Sequence, residues 1–117
     1  MNTEELINQY KDLMNEKKVY DNVDKVIDEA LKQSDETRIF LKKSSEQAGK
    51  NNDIDKMISI NKEMDENGDF ILSLSQKKEE LNAQIDKFNE RMDMFKTVVE
   101  GSGMTLTELE KLMKENG

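Results

Sequence analysis

One heptad repeat, carried without a single proline, constrains this chain more than any other feature. Steps of seven from Met57 reach Met64, Ile71, Lys78, Ile85, Met92 and Val99. The companion position gives Ile60, Asn67, Leu74, Leu81, Phe88 and Phe95, and only Asn67 and Lys78 of these thirteen sites are polar. An apolar pair recurring every 3.5 residues keeps to one side of an α-helix and needs a second helix to cover it. Proline is absent because its ring and missing N–H disrupt a helix interior. The spacing predicts a long helix over residues 53–100. Glu66-Asn67-Gly68-Asp69 disputes it, since Asn-Gly is a turn signal. A break would free the heptad phase, yet Met57, Met64 and Ile71 stay in register across it. The expectation is a continuous helix with a soft spot, where Gly68 costs about 1 kcal/mol relative to alanine.

A matching segment precedes it. Over residues 3–48, steps of seven give Leu6, Leu13, Tyr20, Ile27, Ser34, Leu41 and Ala48, widened by Tyr10, Val23, Ala30 and Leu31. Asn2 or Thr3 can cap this helix, and Glu4 and Glu5 suit its first turn. The stripe fades between Lys32 and Arg38, where the helix should be weakest. Gly49-Lys50-Asn51-Asn52 is the break, with glycine suited to the C-cap and Asn52 or Asp53 to the next N-cap. So short a turn favours antiparallel neighbours, whose facing residues then have numbers adding to about 101. Leu6 meets Phe95, Leu13 meets Phe88, Tyr20 meets Leu81, Ile27 meets Leu74 and Leu41 meets Ile60. Ser34 falls opposite Asn67, either as a buried polar layer that fixes register or as a solvated waist.

After Gly101-Ser102-Gly103 the chain starts again on a capping box of Thr105 and Glu108, with Met104 placed to staple onto Leu109. Leu106, Leu109, Leu112 and Met113 line a helix too short to be stable alone. The expected fold is all-α. Residues 1–100 form an antiparallel coiled-coil-type hairpin, with helices at about 3–48 and 53–100 and a turn at 49–52. Residues 101–117 add a hinge and a short amphipathic helix. The first helix offers Gln9, Glu16, Thr37 and Ser44 where the second needs apolar partners, so Met57, Met64, Ile71, Ile85 and Met92 are only partly covered. With Leu106, Leu109, Leu112 and Met113 they make the expected partner-binding set, and pairing two hairpins into a dimeric bundle is the default way to cover them. Eight methionines suit adaptable contacts, and equally suit ordinary core filling.

Composition narrows the function. With no Cys and no His there is no thiolate nucleophile, zinc thiolate or imidazole base. Gly101-Ser102-Gly103 lacks the lysine and preceding strand of a phosphate loop. Glu63-x-Asp65-x-Asn67-Gly68-Asp69 resembles part of a calcium loop, but Glu63 and Leu74 stand where an EF-hand needs Asp and Glu. No catalytic residue, cofactor or metal is expected. The net charge of -8 opposes direct nucleic-acid binding, which needs a basic stripe. No apolar run reaches membrane-spanning length and no signal peptide is present, so a cytoplasmic chain with no membrane role is expected. Lysine and asparagine richness suggests an AT-rich bacterial or phage genome.

The expected function is therefore non-enzymatic: a small acidic regulatory or adaptor protein that binds another protein and forms a homodimer. An alternative is an assembly or export chaperone shielding an amphipathic client helix. A third rests on the tail. Phe95 to Val99, then Gly103-Met104-Thr105 and Glu108-Leu109, resembles the helix junction in the dimerisation region of histone-like nucleoid-structuring (H-NS-like) proteins. The basic, aromatic DNA-binding domain of that family has no counterpart in this chain, so the resemblance implies at most a truncated oligomerisation-type antagonist.

Overall fold

The computed structural model describes residues 2–116. Three helices follow one another, α1 (Thr3–Lys50), α2 (Ile54–Gly101) and α3 (Leu106–Asn116). α1 and α2 pack against each other as a helical hairpin, and no strand occurs among the described residues. No described helix is long and apolar enough to cross a membrane.

Every helix end that the chain turns at is closed by identifiable bonds. Asn2 Oδ1 accepts from the Glu5 amide at 2.8 Å and so caps α1. At the hairpin turn the Asp53 amide donates to Ala48 O at 3.0 Å and the Asn52 amide to Gly49 O at 3.2 Å. This is a Schellman closure, and its left-handed position is Asn52, with φ 54°. The expected C-cap glycine, Gly49, instead lies inside α1. Asparagine can take the role because its short polar side chain tolerates that conformation. Asp53 Oδ1 then accepts from the Lys56 amide at 3.1 Å and starts α2. The same closure ends α2, with Gly103 at φ 84° and Met104 N bonded to Val99 O at 3.2 Å. Thr105 Oγ1 caps α3 by accepting from the Glu108 amide at 3.1 Å.

The chain divides into two compact units, Val23–Glu80 and the pair Met1–Asn22 with Leu81–Gly117. In Val23–Glu80, Leu41, Ala48 and Ile60 form a buried cluster joined by Met57 and Met64. Ser34 is buried at 5% exposure, and Asn67 Nδ2 donates to its main-chain oxygen at 3.0 Å. The polar layer is thus a hydrogen bond across the seam, from side chain to backbone. Lys78, the other polar seam residue, is held by Asp24 and, at 2.9 Å, by Asp28. α1 passes unbroken through Lys32–Arg38 and α2 through Gly68. Replacing Asn67 with leucine should stabilise the hairpin by about 1 kcal/mol through added seam burial, while relaxing register. Thermal melts check the first effect, and the spread of crosslinks between cysteine pairs placed in neighbouring registers checks the second.

In the unit of Met1–Asn22 and Leu81–Gly117, the buried cluster is Leu6, Ile7, Tyr10, Phe95, Val99 and Leu109. Tyr10 stacks on Phe95 at 5.8 Å, and Tyr20 meets Phe88 edge-on at 5.6 Å. The loop-centred register pairs Tyr20 with Leu81; its ring instead reaches the next seam residue. Side chains in a helix lean toward its N-terminus, and in antiparallel helices that lean brings Tyr20 and Phe88 together.

Candidate interaction surfaces

The structure places the nine expected partner-binding residues closer to the protein's own core than to solvent. Met57, Met64 and Ile71 are half-buried in Val23–Glu80, and Ile85 and Met92 in the other unit. Of the two seam positions of α2 theirs is the less buried, so one edge of each packs inward. Leu106, Leu112 and Met113 are half-buried against the cluster at α3, and Leu109 has 0% exposure. Leu109 is therefore spent on the chain's own packing, with Met104 beside it as the staple requires.

Side chains outside the heptad positions carry the exposed apolar surface. On α2 in Val23–Glu80, Ile54 is 69% exposed, Ile58 64% and Leu72 59%. Ile54 and Leu72 are eighteen residues apart, five full turns at 3.6 residues per turn, so both point the same way. Ile58 and Gly68 lie within about 40° of that direction. This face borders the half-buried Met57, Met64 and Ile71. Ile58 and Leu72 are two heptads apart with Asp65 at the position between them, and Ile54 and Gly68 likewise with Asn61 between. Phe40 on α1 is 67% exposed and lines a shallow hollow with Lys43, Ser44, Gln47 and Lys56. Glu63 to Asp69, the stretch that resembled part of a calcium loop, is helical throughout.

The other unit has a groove of about 400 Å3 floored by Leu13, Met94, Phe95 and Val98 and edged by Asp12 and Glu16. Arg91 donates to Glu16 at 3.1 Å and also lies over the Phe88 ring. The Tyr20 hydroxyl donates to the same carboxylate at 3.0 Å. The Arg91 contact, followed by that of Tyr20, holds the Glu16 carboxyl below its ordinary pKa.

Tyr10 ties α3 to α1 by donating to the Glu110 carboxylate. Burial, and next the hydrogen bond to Glu110, push its phenol up to about 12. A raised folded pKa means the neutral phenol stabilises the fold. That contribution is whole below pH 10, the ordinary tyrosine value, and is lost as pH climbs through 12. Stability should fall across this window, by about 1 kcal/mol once solvent screening of the exposed Glu110 partner is allowed for. Denaturant titrations between pH 9 and about pH 12 check it, and Tyr10→Phe should remove this part of the slope.

No protein family, curated protein or solved structure matches this chain. Its functional reading rests on its own surfaces.

Proposed function

We propose that the chain is a non-enzymatic protein–protein interaction module, a small acidic regulatory or adaptor protein that engages its partner through a helical face. The observation that supports this is the exposure of Ile54, Ile58 and Leu72 on one side of α2, beside seam residues that the hairpin covers only in part. With Asn61 and Asp65 between them, these aliphatic side chains make a mixed apolar and polar surface of the kind a partner covers. The flanking half-buried methionines add contacts that adjust to a partner's shape.

The natural absence of cysteine allows a direct test. Single-cysteine variants Leu72→Cys and Glu63→Cys place a photocrosslinker on the proposed face and, nine residues earlier, on the opposite side of α2. In lysate of the source cells, Leu72→Cys should yield one discrete adduct with another protein that Glu63→Cys does not. Equal labelling from both positions, or none from Leu72→Cys, contradicts the proposal.

A further inference from the structure

The geometry points to a specific occupant for the α2 face: a single amphipathic helix from a partner protein, basic along its flanks, crossing α2 most closely at Gly68. The inference rests on the interaction reading above and adds the crossing point and the partner's chemistry.

Gly68 carries the argument for the crossing. It sits in the interior of a 48-residue helix, where glycine is the poorest ordinary choice because it gives up the most backbone freedom. Its φ is not in the left-handed region, so no turn demands it. A Cβ built at Gly68 would meet no heavy atom within 4 Å, so packing within the chain does not demand it either. What remains is the space outside. Gly68 lies on the same side of α2 as Ile54, Ile58 and Leu72, between the half-buried Met64 and Ile71. Absence of a side chain there lets a second helix approach the backbone closely while the aliphatic groups grip it on either side of the crossing.

Charge decides between occupants. On this side of α2, from Ile54 to Leu72, the charged residues are Asp55, Asp65 and Asp69 against Lys62. Across the seam on α1, Arg38 is paired with Asp35 at 3.0 Å, and farther along α2 itself Lys78 is held by Asp24 and Asp28. The balance is negative, and Asp65 and Asp69 stand next to the crossing point. A second copy laid across this face would bring the same carboxylates to it. A helix with lysine or arginine flanking its apolar stripe would meet them with opposite charge, which sets orientation and excludes acidic competitors.

The test uses the full chain and two labelled synthetic helices of about eighteen residues. Both have leucine on one face; one has lysine on its flanks and the other glutamate. Fluorescence anisotropy should show the lysine helix binding about tenfold or more tightly than the glutamate helix. Gly68→Leu and Leu72→Lys should each weaken that binding about tenfold, with helicity kept and, for Gly68→Leu, a higher melting temperature. Gly68→Ala separates fold from docking: it should raise the melting temperature and still weaken binding. If the lysine helix binds but ignores both Gly68→Leu and Leu72→Lys, the crossing site is wrong while the interaction reading stands. If neither helix binds, the occupant is wrong, and crosslinking from Leu72→Cys decides separately whether the reading survives. Sedimentation showing a dimer that Gly68→Leu abolishes would overturn the inference in favour of a second copy.

Discussion

Truncating Phe88 to alanine is expected to cost about 3–5 kcal/mol of unfolding free energy. Phe88 is 3% exposed and its ring meets the edge of Tyr20 at 5.6 Å. The Arg91 guanidinium lies 5.6 Å from the same ring's centroid. Removing the ring takes away apolar burial and leaves a cavity that two helices held by continuous packing cannot close. It also undermines the arrangement in which Tyr20 and Arg91 share the Glu16 carboxylate. Domains of this size are stable by about 5–15 kcal/mol, so the loss is a large fraction of the total. Urea titrations followed by far-ultraviolet circular dichroism measure it. Phe70→Ala is the control: at 51% exposure the same change should move the unfolding free energy by no more than about 0.5 kcal/mol.

A different signature is expected from Leu109→Ala. Leu109 has no exposed surface and packs with Leu6 and Val99, which are themselves 1% and 0% exposed. The truncation carries a nominal penalty of about 2–5 kcal/mol. α3 has only eleven residues, and a free helix of that length is marginal in water. Once the penalty exceeds the energy that docks α3, the helix leaves rather than the hairpin unfolding. The midpoint for loss of bulk helicity should therefore fall less than the nominal penalty implies. Amide exchange in Leu106–Asn116 should rise steeply, with slow exchange retained around Leu74 and Leu81. Leu109→Asp should give the detached state outright, and uniform acceleration of exchange along all three helices would count against this picture.

The fold was legible because one period governs most of it. Heptads in both segments, the short turn and the absence of proline together require two paired helices, and the hairpin follows. The Ser34–Asn67 layer was visible as a coincidence of numbering; its form, a side-chain donor to a main-chain oxygen, depends on rotamers that no pattern carries. The exchange of Gly49 for Asn52 at the turn was hidden for a related reason. Both residue types satisfy a C-cap, and only the local hydrogen bonds choose between them. Tyr20 reached Phe88 because side chains lean along a helix, which pairing by residue number ignores.

The candidate surface was less legible. The polar positions opposite Met57, Met64 and Ile71 imply incomplete cover, and all three lie half-buried. Ile54, Ile58 and Leu72 occupy no seam position, and Asn61 and Asp65 interrupt them, so no apolar repeat joins them in the sequence. In the sequence Gly68 is only a cost to the helix; that a Cβ there would meet open space depends on how α1 packs beside it.

Hydroxyl-radical footprinting of the free chain, at a concentration where sedimentation gives a single species, reads out whether the Ile54, Ile58 and Leu72 side of α2 is open to solvent. Ile54, Ile58 and Leu72 should be modified fast, and Ile60, Leu74 and Leu81 slowly. Protection of Ile58 and Leu72 in the free protein would contradict the proposal, because the face proposed for a partner would already be covered.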